Sequence, residues 1–179
     1  SVMCRTERVR STEKHNAMLT RIPISVQLRP EDLHAAKAVY ELAEQVGAGD
    51  QMEYWKSVPW LCFFMRDYEL GKKLNRKLAG SESERGPVFQ ILEKPSRVLF
   101  ETLENYGPLE AGNPRMRELF AETLDKDMWK LLWMPPSMPY MRPSGAYAGK
   151  EQLTKLLVFS AWNAVPNAVS ALCSWEAER

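Results

Sequence analysis

Three groups of residues have the type and spacing to do chemistry. Arg5, Arg8, Arg10 and Lys14 crowd the start of the chain, interleaved with Glu7 and Glu13. Lys72, Lys73, Arg76 and Lys77 fall within about one and a half turns of a helix, so they share one face if the segment is helical. Rows of guanidinium and ammonium groups neutralise phosphates, which makes both sets candidate DNA-backbone contacts. Each set is also readable as an ordinary solvated charged face. The third group, Ser160 and Trp162, follows the apolar run Leu156-Leu157-Val158-Phe159. If that run is a strand, the pair sits where α/β sheets place their ligand loops. Core packing is the other reading of Trp162.

Several chemistries lack their residues. The chain has no Gly-x-x-x-x-Gly-Lys-Ser/Thr phosphate cradle and no Gly-x-Gly-x-x-Gly turn, and neither a His-Glu-x-x-His pair nor a Ser/His/Asp set can be assembled. His15 and His34 stand apart from any Cys or carboxylate at zinc spacing. Cys4, Cys62 and Cys173 form no Cys-x-x-Cys motif and no disulfide framework, so a reducing cytoplasm is the expected compartment. Cys62 and Cys173 lie within apolar helical patterns and read as small buried hydrophobes. Trp55, Trp60, Trp129 and Trp133 read as core residues rather than base-stacking platforms. No catalytic residue, metal ligand or cofactor site is expected within the chain itself.

The elements that must position these groups follow from periodicity. At 179 residues, 45% hydrophobic and 26% charged, the chain is long enough to bury a core. A net charge of +1 excludes a globally basic binder but leaves room for a local patch. No apolar run approaches the roughly 20 residues of a membrane helix. Ile22, Ile24, Val26 and Leu28 alternate, which predicts a half-buried strand at residues 22–28, with Pro23 near its edge. Pro30 opens a helix complemented by Glu31 and Asp32, carrying Leu33, Ala36, Tyr40 and Ala43 and ending at Gly47 and Gly49.

A second helical block has the stripe Trp60, Phe64, Tyr68, Leu74 and Leu78, opposite the basic residues. Residues 80–86 read as a Gly-bounded loop, and a helix begins at Val88. Further helices are expected around Leu99, Leu103 and Tyr106, after Asn113-Pro114, and as a short piece after Asp125. Pro135, Pro136, Pro139 and Pro143 then predict an extended, packed connection. The last segment reads as a buried strand at 156–159, a polar turn, and a helix with Val165, Val169, Leu172 and Cys173 on one face. The chain opens on Ser1-Val2-Met3 and closes inside a helical pattern, so an internal piece of a longer protein is expected.

Two stretches resemble a known family. Lys155-Leu156-Leu157-Val158-Phe159-Ser160-Ala161-Trp162 resembles the motif IV region that opens the second RecA-like lobe of superfamily 2 helicases. Met3-Cys4-Arg5-Thr6-Glu7-Arg8 resembles the segment that follows motif III at the end of the first lobe in SNF2-like proteins. The Pro-Pro-Ser-x-Pro-Tyr segment at 135–140 is similar to bacterial members of restriction or phage-defence type. The resemblance implies an internal fragment of an ATP-dependent DNA helicase or translocase. Residues 1–30 would end the first lobe and cross over, 31–133 would form a helical insertion, 134–149 a Pro-rich connection, and 150–179 the start of the second lobe.

The implied fold is mainly α, with a small β element and an incomplete α/β lobe. The implied partners are DNA and the remaining RecA-like lobes, with no membrane. ATP and Mg²⁺ would belong to the parent protein, because the Walker A loop, the Asp-Glu-x-His motif and motif VI are absent here and hydrolysis needs all three. An independent helical protein–protein interaction module is the alternative.

Overall fold

The computed structural model describes residues 25–49, 55, 67–94, 100–133, 142, 144–150, 156, 158 and 160–179. Helix α1 spans Pro30–Val46. Pro30 occupies its first turn, where a missing N–H costs nothing, and the Arg29 backbone N–H donates to Asp32 Oδ2 at 2.7 Å. The helix ends at Gly47, whose φ of 70° is the left-handed conformation that glycine adopts without a Cβ penalty. The Ala48 N–H closes the cap on the Ala43 carbonyl at 2.8 Å.

Helix α2 is Glu69–Leu78 and α3 is Glu82–Leu92. The residues read as a loop from Gly80 to Gly86 are therefore helical from Glu82 onward. The Ser81 backbone N–H donates to Glu84 Oε2 at 2.9 Å, which is one half of a capping box and starts the helix despite Pro87 inside it. A Cβ at Gly80 would meet the Glu84 carboxylate, so a larger residue there would displace that side chain from its capping position.

Helices α1, α2 and α3 pack on one another. Leu42, Leu70 and Val88 are fully enclosed between them, together with Val39, Ala43, Val46 and Leu74. The inward stripe of α1 thus runs through Val39, Leu42, Ala43 and Val46. Leu33 and Tyr40, expected to face the core, are 57% and 59% exposed. Apolar residues recur on two faces of α1, and the packing of α2 and α3 selects one of them.

Helix α4 is the short Phe100–Glu104, and α5 is Pro114–Thr123. The Asn113 side chain accepts the Met116 N–H at 2.8 Å, as the Asn-Pro signal predicts. A 3₁₀ segment, Met128–Trp133, takes the place of the short helix expected after Asp125, and a second 3₁₀ turn covers Gly145–Tyr147. Helix α6, Ala164–Glu178, buries Ala164, Ala168 and Leu172. Ala164 belongs to the first apolar cluster, while Leu172 joins Ala111, Met116 and Leu119 in a second.

The fold is mainly helical, and no strand is present among the described residues. Residues 25–28 of the strand expected at 22–28 are irregular, with Val26 and Leu28 exposed at 38% and 59%. A strand needs a neighbour to satisfy its backbone, and no described residue supplies one there. At the other expected strand, Leu156 packs against the second cluster while Val158 is 50% exposed. Ile22, Ile24, Leu157, Phe159 and most of the Pro-rich connection lie outside the described residues. No described helix is long and apolar enough to cross a membrane.

Candidate nucleic-acid interface

Helix α2 carries four cations against one carboxylate in ten residues, with Arg76 and Lys77 in its last turn, where they complement the negative end of the helix. Its apolar side, Leu70, Gly71 and Leu74, is buried. The basic residues are not equivalent. Lys73 donates to the Gly47 carbonyl and pairs with Glu69, so its ammonium ties the C-terminus of α1 to α2. Lys77 is half-buried and acts on Glu84, whose carboxyl is held below its usual range chiefly by the hydrogen bonds from Ser81. Lys72 and Arg76 are exposed and have no hydrogen-bond or ion-pair partner among the described residues.

The turn holding Ser160 and Trp162 is seated at the start of this helix. Tyr68, the residue that precedes α2, accepts the Ala164 N–H on its hydroxyl at 3.0 Å. The Tyr68 and Trp162 rings lie 5.6 Å apart at 32°, within the range of favourable tilted aromatic pairs. The Trp162 N–H donates to Ser160 Oγ at 3.0 Å, closing the turn. Ser160 is exposed, whereas Trp162 is half-buried and packs against the first apolar cluster. The turn thus reaches the start of α2, with Lys72 about one helical turn further on and Arg76 in the last turn. Arg5, Arg8 and Arg10 lie outside the described residues.

A second polar site has no counterpart in the sequence reading. Arg117 on α5 grips Asp32 of α1 with both terminal nitrogens, Nη1 to Oδ1 at 2.8 Å and Nη2 to Oδ2. Nη2 also reaches the Gln27 carbonyl at 3.2 Å. Asp32 is 3% exposed. The Arg117 hydrogen bonds hold its carboxyl below the usual range, and Asp32 in turn raises Arg117. An open cleft of about 340 Å³ borders the pair, lined by Gln27, Arg29, Glu118, Phe120 and Asp125 among others. Glu31 and Asp32 were legible as acids at a helix start, but a partner 85 positions away leaves no local signal.

The far end of α6 is a third polar cluster. Tyr106, with a left-handed φ of 52°, stacks on Trp175 at 4.4 Å, and its hydroxyl donates to Glu178 at 3.2 Å. That carboxylate raises the Tyr106 pKa. Glu176 accepts the Leu109 N–H at 2.6 Å, and Trp175 Nε1 donates to the Gly107 carbonyl at 3.1 Å. These groups satisfy one another and clamp the turn after α4. Cys173 is half-buried, and burial pushes its thiol up, away from the reactive thiolate. Among the described residues no group of three or more His, Cys, Asp or Glu side chains is arranged to hold a metal ion.

The exposed pair Lys72 and Arg76, on the helix whose start holds the Ser160 turn, is the arrangement best suited to an external ligand, and its charge suits a polyanion. No family model matches the chain, and no curated protein or solved structure does so either.

Proposed function

We propose that this chain is a helical part of an ATP-dependent DNA helicase or translocase of the SNF2-like type. It would lie between the two RecA-like lobes, coupling them and gripping the DNA backbone through α2 while ATP hydrolysis takes place elsewhere in the protein. The small β element and the opening strand of the second lobe belong to the same proposal. The observation that carries the reading is the seating of the Ser160–Trp162 turn on Tyr68, the residue that precedes the basic helix α2. It supports joining the residues resembling a lobe-2 DNA loop to the helix that carries the exposed Lys72 and Arg76. A backbone contact of this kind is electrostatic and carries no sequence preference.

Fluorescence anisotropy with a short duplex at about 50 mM salt tests it. Lys72→Ala and Arg76→Ala each weaken binding, and the double variant weakens it most. Lys73→Ala changes stability more than affinity, because its ammonium is already spent on Gly47 and Glu69. No binding by the unmodified chain at low salt overturns the reading.

One observation favours the alternative, a helical protein-interaction module. Leu33 and Tyr40 share an outward face of α1 and stay more than half exposed. Pull-down of a defined partner lost on Tyr40→Ala, with no DNA binding, would establish that reading instead.

A further inference from the structure

The described residues bury their apolar side chains in two clusters, and α6 contributes to both, Ala164 to one and Leu172 to the other. Helices α1, α2 and α3 pack on one another, so the first cluster closes on itself. The second is smaller and gathers α5, Ala111 and the end of α6. Outside α6, the hydrogen bonds that join the two regions among the described residues are those of Arg117, to both carboxylate oxygens of Asp32 and to the Gln27 carbonyl.

We propose that the Asp32–Arg117 pair is a releasable latch between two separately packed regions. Closed, it holds α5 against the N-terminus of α1. Opened, it lets α5 and the second cluster move on α6 while α1, α2 and α3 stay folded. Three features of the pair suit that role. First, a two-pronged pair is directional, so a small displacement breaks both prongs together rather than letting the contact slide. Second, the Arg117 side chain is 21% exposed and borders the open cleft, so a released guanidinium meets water instead of being stranded in an apolar interior. Third, Asp32 keeps a partner on release, since the Arg29 backbone N–H still caps it at 2.7 Å. Both halves of the latch thus have somewhere to go, which a purely structural buried pair lacks. The inference goes beyond the DNA reading and holds whatever α2 meets.

Hydrogen exchange of the whole chain, read by mass spectrometry, tests it. In Arg117→Met the amides of α5 lose protection by roughly a hundredfold, the scale of removing one partner of a largely buried pair. Amides at the buried positions of α1 and α2 change by less than about threefold. Arg117→Lys keeps the charge but loses the fork, and gives a smaller loss confined to the same region. It also carries the comparison if Arg117→Met does not fold. Equal loss of protection in both regions would show one cooperative unit and overturn the latch. Unchanged protection of α5 would show that the pair holds nothing, and would overturn it too.

Discussion

Where α1, α2 and α3 meet, Leu42, Leu70 and Val88 are fully enclosed in an apolar core, and the polar links of Lys73 to the Gly47 carbonyl and of Lys94 to Glu41 lie at its surface. Around α5 and the end of α6 the buried apolar set shrinks to Ala111, Met116, Leu119 and Leu172, and the work of holding shape passes to polar clamps. Asn113 caps α5, Glu176 and Trp175 hold the turn at 107–109, and Arg117 reaches back to Asp32. Apolar burial is non-directional and indifferent to pH, so the first region is the scaffold. Hydrogen bonds and ion pairs are directional, contribute about 1 kcal/mol each on average, and depend on protonation. The second region is therefore the part of the molecule that conditions can adjust. The candidate DNA contacts sit on the scaffold side, on α2 and on the turn that leads into α6.

The largest effect expected from breaking this contrast is at Leu42. Leu42→Ala opens a cavity in a fully enclosed site and costs about 3 kcal/mol, seen as a lower denaturation midpoint for the scaffold helices. A midpoint unchanged within error would mean the first cluster is not the scaffold.

Acid gives the next effect, in the other region. The Asp32 carboxyl is depressed by Arg117, so its contribution to stability is fully present above the unfolded Asp value of about 3.9 and is lost as pH falls through the lower folded value. Asp127, depressed by Lys150 and Lys130, shifts in the same direction but is a surface group and contributes little. Glu41 and Glu84 are also depressed, but they are surface groups on the scaffold and contribute little. Amide NMR or hydrogen exchange below about pH 4 should show α5 loosening before α1. The lead should shrink in Arg117→Met. Simultaneous loosening would show a single cooperative unit and break the contrast between the two regions.

The smallest effect is at a helix cap. Asn113→Ala removes the bond to the Met116 N–H and costs about 1 kcal/mol, with the change in protection confined to α5.

The parts of this fold that could be read from sequence are those with local causes. Pro30 and Gly47 bracket α1, and Asn113-Pro114 opens α5, because caps and proline act within one turn. The α3 start was missed although Ser81 and Glu84 have capping spacing, because the flanking glycines read as a loop. The rotation of α1 is not legible in its sequence, because Leu33 and the Tyr40 ring offer a second apolar stripe beside Val39 and Leu42, and only the positions of α2 and α3 choose between the faces. At the candidate site, the basic run at 72–77 was visible, but its division was not. Lys73 is consumed by a carbonyl 26 positions earlier, and that leaves Lys72 and Arg76 as the exposed pair. Long-range polar pairs such as Asp32 with Arg117 have no periodicity to announce them.

The measurement that tests the functional claim most directly is the salt dependence of duplex binding. Plotted as log affinity against log salt, each neutralised phosphate contributes about 0.9 to the slope on B-form DNA. The account predicts a linear loss of affinity with salt, and a slope shallower by about 2 in the Lys72→Ala/Arg76→Ala double variant, with Lys73→Ala leaving the slope in place. A slope unmoved by the double variant would contradict it.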